Sequence, residues 1–337
     1  MVRHWLLVLL LCGCSAGGAA PPAERAPAVV GANTALPETR AAPQRIRIGV
    51  PGPSLSYLPA HVAWQLGYFQ EEGLDVEFVQ TGGTTTIPAL LSGELDFTTI
   101  LSAIGAHAGQ GGESKIVQFH SVRLQHVLGV RPEITAIGDL SGRRVAVQSL
   151  GTLTAFEVQM LAEHFGLRDV AIVAVGTDLE RIAAMEAGAA DATIETIPLN
   201  LIAERRGFPS LLRVGTVLEI PQAGLGTSET HLREKADLVM RALRAAARAL
   251  PVIAAQREVV VQQIASWIDL PPEDAALAYD QVADSYSPNG LPTDAQMAAY
   301  LDLLVATAGI PASTTPAQLA DFTLARQVAT ELRLPGP

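Results

Sequence analysis

Ile46-Arg47-Ile48-Gly49-Val50-Pro51-Gly52-Pro53-Ser54-Leu55-Ser56-Tyr57-Leu58-Pro59 is the stretch whose reading decides the fold. Ile46, Ile48 and Val50 alternate with polar or small residues, the pattern of a strand, and the strand then enters a Pro/Gly/Ser turn. Beyond the turn, Leu58, Val62 and Leu66 recur on one helical face, with Ser54 or Ser56 as N-cap, Pro59 in the first turn and Gly67 at the end. A strand, a hydroxyl-rich turn and a helix N-terminus place free backbone N–H groups at the carboxyl end of a sheet, where open α/β sheets bind ligands. The stretch predicts the first wall of a small-molecule site.

The same unit recurs twice at once downstream. Asp75 to Thr81 reads as a strand followed by Gly82-Gly83-Thr84-Thr85-Thr86 and an apolar helical turn; Asp96 to Ile100 reads as another, with Ser102 heading a helix. Strands alternating with helices imply a mainly parallel sheet with right-handed crossovers, so the three turns gather at one edge. Lys115 to Val122 and Gln125 to Val130 read as strands joined by a tight link.

After Arg131-Pro132 the pattern starts again. The strand Val145-Ala146-Val147 leads through Gln148-Ser149-Leu150-Gly151-Thr152-Leu153-Thr154 into an amphipathic helix carrying Phe156, Met160, Leu161 and Phe165. Val170 to Val175, a helix over Asp178 to Glu186, the short strand Ala192-Thr193-Ile194, a helix after Pro198 and a last strand over Leu211 to Val214 complete a second α/β unit. Val217 to Thr227 reads as a return crossing, and from about Glu229 the chain is helical to its end. These helices are expected to cover the first lobe. The expected divisions are 1–13, 14–44, 45–134, 135–222 and 223–337: a leader, a tether, the first lobe, the second lobe and the rest of the first.

Composition narrows the function. The chain has 337 residues and 49% hydrophobic residues, enough for two cores. Arg3 and His4 precede the apolar run Trp5 to Leu11, which is too short to span a bilayer and has the order of a secretory signal. The tetrad Leu11-Cys12-Gly13-Cys14 resembles a bacterial lipobox, which implies acylation of Cys14 and a membrane anchor. Residues 15 to 44, rich in Ala, Pro and Gly without periodicity, read as a tether. Cys12 and Cys14 are the two cysteines, so a processed chain has no disulfide or thiol chemistry. The net charge of −11 and the lack of a dense basic run argue against nucleic acid. The remaining histidines, His61, His107, His120, His126, His164 and His231, show no metal-ligand spacing. No cofactor and no metal are expected.

Gly67-Tyr68-Phe69, followed by Glu72-Gly73-Leu74-Asp75-Val76-Glu77, resembles the "GYF…EGLDVE" signature of periplasmic solute-binding proteins of the SsuA/TauA and NMT1/THI5-like type. Leu91 to Phe97, Asp139 to Arg143 and Ala187 to Ala192 are similar to three further segments of that family, in the same order. The likeness covers about residues 45 to 330. It implies the two-lobed, type II periplasmic-binding-protein fold: each lobe a mainly parallel sheet flanked by helices, hinged on two crossings that are expected near Arg131 to Ala136 and Val217 to Gly224. It also implies capture of a small solute and delivery to an ABC permease and its ATPase in the cell envelope. The body is expected to be a monomer outside the cytoplasm.

Candidate ligand-binding residues follow the strands. They are Ser54, Ser56, Tyr57, Gly83, Thr84, Thr99 and Ser102 in the first lobe, and Gln148, Ser149, Thr152, Thr154, Glu195 and Thr196 in the second. Serines and threonines in such places also cap their own helices. Tyr57 can stack on a planar ligand or pack between lobe and helix, and Glu195 can accept an N–H from the ligand, although a solvated carboxylate at a loop is the reading its position favours. Arg123 and Arg131 are expected at the surface near the hinge. Sulfonate and nitrate relatives imply an anion site, and pyrimidine or other aromatic-heterocycle relatives imply stacking. No arginine lies in the nominated turns, which favours a neutral or weakly anionic organic ligand.

Two other functions share this pattern. Some THI5-like relatives are enzymes that make a pyrimidine and are associated with a cysteine-rich motif and a pyridoxal phosphate lysine. Here no thiol remains beyond Cys14, and the two lysines, Lys115 and Lys235, fall at a strand start and in the late helical region. A lipoprotein of the same fold that senses a ligand for a membrane receptor is the third reading.

Overall fold

The structure is a computed structural model and describes residues 42–52, 54–82 and 85–336. The leader, Cys14, nearly all of the tether, Gly83 and Thr84 lie outside the described residues. In chain order the first lobe runs β1 (Gln44–Val50), α1 (Leu58–Gln65), α2 (Tyr68–Glu71), β2 (Leu74–Gln80), α3 (Thr86–Leu91), β3 (Phe97–Thr98), α4 (Leu101–Gly109) and β4 (Ser114–Ser121). The second runs β5 (His126–Val130), β6 (Arg144–Val147), α5 (Leu153–Phe165), β7 (Ala171–Ala174), α6 (Asp178–Glu186), β8 (Ala192–Thr196), α7 (Asn200–Arg205) and β9 (Ser210–Arg213). Then come β10 (Ala223–Ser228), α8 (Glu229–Glu234), α9 (Ala236–Ala255), α10 (Arg257–Trp267), α11 (Pro272–Val282), α12 (Asp294–Ala308), α13 (Pro316–Leu319) and α14 (Thr323–Glu331).

Two five-stranded sheets result, ordered β2-β1-β3-β10-β4 and β7-β6-β8-β5-β9. Their plans are the same. In each, three parallel strands are followed by one antiparallel strand that the chain brings in from the other lobe: β10 in the first sheet, β5 in the second. Because open α/β units put their ligand turns at the carboxyl ends of the parallel strands, both sheets offer turns of the same kind.

The first crossing lies earlier than the sequence suggested. β5 pairs with β8 and β9, so the chain leaves the first sheet at residues 122–125 and not at 131–136, and residues 126–134 belong with the second lobe. The apolar run of β5 and the short link before it look like a hairpin partner for β4, and periodicity carries no information on which sheet a buried strand joins. The crossings touch: the amide of Gln125 donates to Oε1 of Gln222 at 3.0 Å, and the amide of Gln222 to the carbonyl of Ser121 at 3.0 Å.

The cores follow this plan. One gathers Ile46, Ile48, Leu58 and Val62 against α9, whose Ala242, Ala245, Ala246 and Ala249 let α1 approach closely. The other joins Ile104 and Phe119 to Leu128, Val145 and Leu161 of the second sheet and to Tyr300 and Leu304 of α12. The late helices therefore do more than cover the first lobe. α12 packs on both α4 and α5, and α11 reaches the second lobe through an ion pair between Arg205 and Asp274.

Candidate functional site

A cleft of about 760 Å³ opens where the turns of the two sheets meet. Its first wall is the turn after β1, with Pro51, Ser54 and Ser56, and the start of α4, with Thr99, Ile100, Leu101, Ser102 and Ala103. The opposing wall is the turn after β6 and the start of α5, with Gln148, Gly151, Thr152 and Leu153. The second crossing closes one side with Pro221, Gln222 and Ala223, and α12 closes another with Tyr300, Leu303, Leu304, Thr307 and Ala308.

Local chemistry holds each wall. Ser54 caps the short turn before α1: its Oγ accepts from the amide of Ser56 at 3.3 Å and shares a hydrogen bond with Ser56 Oγ at 2.9 Å. The hydroxyls of Thr98 and Thr99 both reach the carbonyl of Gly49, at 3.2 and 3.4 Å, and so tie the start of α4 to the end of β1. In the second lobe, Thr152 Oγ1 donates to the carbonyl of Ser149 at 2.7 Å, and Thr154 Oγ1 accepts from the amide of Gln148 at 3.2 Å. The loop is braced from within, and Gln148 projects from it into the cleft. Glu157, one turn into α5, is buried and meets Nδ1 of His126 at 2.6 Å, which fixes the helix to the strand that leaves the first crossing. Burial alone would lower the His126 pKa, but the Glu157 carboxylate outweighs it and raises the value.

Six of the expected residues come together here: Ser54, Ser56, Thr99, Ser102, Gln148 and Thr152. The others go elsewhere. The ring of Tyr57 is buried, edge-on to Trp267 at 5.2 Å and near Phe78, and its hydroxyl donates to the carbonyl of Gly52; it packs α1 and does not face a ligand. Burial pushes that hydroxyl up to about 12. Ser149 lends only its carbonyl to the loop, and Thr154 stands behind the wall as a brace. The amide of Thr196 donates to Asp178 at 2.8 Å, outside the cleft.

Glu195 is buried against Gly129, where any Cβ would lie 2.8 Å from the carboxyl carbon. Neither of its oxygens has a partner among the described residues, and burial, then the charge of Asp178, pushes the carboxyl up to about 8. It does not line the cleft. Arg123 pairs with Glu219, Arg131 with Glu133, and neither enters it. Lys115 holds the carbonyl of Ala317 and pairs with Glu229, while Lys235 lies beside Asp96 and His231.

Sequence reasoning missed Gln222 and the whole α12 wall. Gln222 sits at the crossing, and its Oε1 is taken by Gln125, which leaves its N–H₂ to donate. Tyr300 is 1% exposed and its hydroxyl has no partner among the described residues. Nothing in the helical pattern of α12 distinguishes a cleft-facing leucine from a core one, so only packing could have found this wall.

Residues 55–259 match the sequence profile described as NMT1/THI5 like. Among solved structures, the chain is similar to the putative sulfonate-binding SsuA of Methylobacillus flagellatus KT, at 17% identity over 88% of this chain and 96% of that one, with a TM-score of 0.71. It is similar to the aliphatic sulphonate-binding SsuA of Escherichia coli, at 20% identity over 83% and 92%, with a TM-score of 0.66. The nitrate-binding NrtA of Synechocystis PCC 6803 matches at 15% identity over 87% and 90%, with a TM-score of 0.65. All three are periplasmic binding proteins by description, and at these identities the likeness establishes the fold. Comparison with curated proteins finds no match. The profile spans more than half of the chain, so the chain belongs to the NMT1/THI5-like family.

Proposed function

We propose that this protein is the extracytoplasmic solute-binding component of an ABC importer, which captures a small organic solute between its lobes and passes it to a permease driven by an ATPase. The observation that carries the reading is the cleft itself, whose opposing walls come from the two sheets and whose side is a crossing strand. A solute that touches both walls binds the closed arrangement better than the open one, which is what makes hinge closure depend on it. The sulfonate and nitrate binders of the same fold support the same use of the cleft. Among the described residues no lysine, cysteine or histidine lines it, so the residues present do not fit the pyridoxal phosphate lysine of the pyrimidine-making relatives. Among the described residues no helix is long and apolar enough to cross a membrane, and acylation of Cys14 would hold the body there.

Thermal unfolding of the purified protein against sulfonates, nitrate, pyrimidines and aromatic acids tests the capture. A ligand at about a hundred times its Kd adds about 2.7 kcal/mol of stability, and Ser102→Trp, which fills the cleft, should abolish the shift while leaving the melting temperature of the free protein nearly unchanged. A shift that survives in Ser102→Trp would place binding elsewhere. Cys14→Ala should move the protein from the membrane fraction to the soluble one; a variant still sedimenting with membranes would exclude the anchor.

A further inference from the structure

The stretches that wall the cleft share a property their individual residues do not display. Residues 50–60, 97–106, 145–156, 220–228 and 303–308 contain no Asp, Glu, Lys, Arg or His, in a chain where 17% of residues are charged. Charges stand immediately outside several of them, at His61, His107, Glu157, Glu219, Glu229 and Asp302, and none of these is among the residues that line the cleft. Five separate segments, drawn from both sheets, the crossing and α12, thus converge on a site that, among the described residues, has no ionisable side chain other than the phenol of Tyr300.

The polar groups left over are few and neutral. Thr99, Thr152 and Thr307 spend their hydroxyls on backbone carbonyls, and Ser54 and Ser56 on each other. The hydroxyl of Ser102, the amide of Gln148 and the N–H₂ of Gln222 remain, together with the buried hydroxyl of Tyr300, which has no partner among the described residues. The rest of the lining is largely apolar, with Ile100, Leu101, Leu153, Leu303, Leu304 and Ala308. The N-termini of α4 and α5 also point here, but each carries only a fraction of a charge, weakened by solvent at an open cleft. An anion closed into such a site loses its hydration and gains no counter-ion, whereas an uncharged head keeps its hydrogen bonds and an apolar body gains from burial. The volume of about 760 Å³ is far larger than a small inorganic anion needs and suits an organic molecule of drug-like size.

From this we infer that the captured solute is uncharged: an organic molecule with an amide-, carbinol- or heterocycle-type head held by Ser102, Gln148 and Gln222, and an apolar body along Leu153, Leu303 and Leu304. The inference rests on the solute-binding reading above and narrows it to a class. It separates this chain from binders whose cargo carries a full negative charge.

Matched pairs of probes, identical but for charge, provide the test: hexanesulfonamide with hexanesulfonate, hexanamide with hexanoate, and butylbenzamide with butylbenzoate. Each is titrated calorimetrically into the intact protein near neutral pH, at low and at high salt. The neutral member should bind at least about tenfold more tightly than its anion, with an affinity that salt leaves unchanged and that Ser102→Trp removes. An anion that binds more tightly than its neutral partner, or binding that weakens as salt rises, would overturn the uncharged class and leave solute capture standing. If no member of any pair binds at millimolar concentration and no small molecule is released from the denatured native protein, both the class and the solute-binding reading fall.

Discussion

Glu195 is the residue whose chemistry departs furthest from its appearance in the sequence. It follows a short strand and looks like a ligand for an N–H group, yet it is fully buried beside Gly129 with no partner among the described residues. Burial holds its proton until about pH 8, against an ordinary carboxyl value of 4.5. The folded protein therefore binds one more proton than the unfolded chain between these values, so the contribution to stability is full below 4.5 and is lost as pH rises through 8. Glu195→Gln, which keeps the shape and removes the titration, should flatten the decline in stability over that window. Urea unfolding of both proteins at mildly acidic and mildly alkaline pH checks this, and equal slopes would show that Glu195 is ionised throughout. At the same scale, the place of Ser54, Ser56, Thr99, Ser102, Gln148 and Thr152 at the cleft was legible because a turn between strand and helix is a local feature. Tyr57 was left open between stacking and packing, because its partners, Phe78 and Trp267, lie 21 and 210 positions away and only folding brings them to it.

Among the elements, the strands and most helices were readable from alternation and from the four-residue recurrence of apolar side chains; α6 falls at Asp178–Glu186, where the sequence placed it. The partner of a strand was not readable, and β5 is the case in point, since its Val127, Leu128 and Val130 suit either sheet equally. What makes the double crossing fit is Gly215. A Cβ there would lie 2.2 Å from the carbonyl oxygen of Leu124, so the two crossings approach backbone to backbone only because residue 215 lacks a side chain. Gly215→Ala should cost about 1–3 kcal/mol of stability, as overpacking against a rigid neighbour does. A loss below a few tenths of a kcal/mol in denaturant unfolding would mean that the crossings separate freely.

Over the whole molecule, the C-terminal segment joins the two lobes as well as covering the first. Nη1 and Nη2 of Arg213, at the end of β9, donate to the two carboxylate oxygens of Asp284 at 3.0 and 2.8 Å, and Asn200 of α7 donates to Gln281 of α11 at 3.0 Å. This clasp sits beside the crossings, where Val122 donates to the carbonyl of Ser285 at 2.8 Å. The Arg213 and Asp284 side chains are 35% and 52% exposed, so water screens their attraction. Arg213→Met should therefore lower stability by no more than about 1 kcal/mol, and high salt should bring variant and wild type together. A larger, salt-independent loss would make the clasp a structural joint in its own right.

The sequence by itself determined the two α/β units, their turn chemistry, the family and half of the cleft, because each of these depends on neighbours within a few positions along the chain. It also set which segments carry no charge, although only the fold brings those segments together as walls. Only the tertiary structure decided that β5 crosses early, that Tyr57 and Glu195 are buried away from the cleft, and that Gln222 and α12 complete it. Those outcomes depend on which distant surfaces meet, and the burial that drives the meeting is non-directional, so periodicity alone does not encode it.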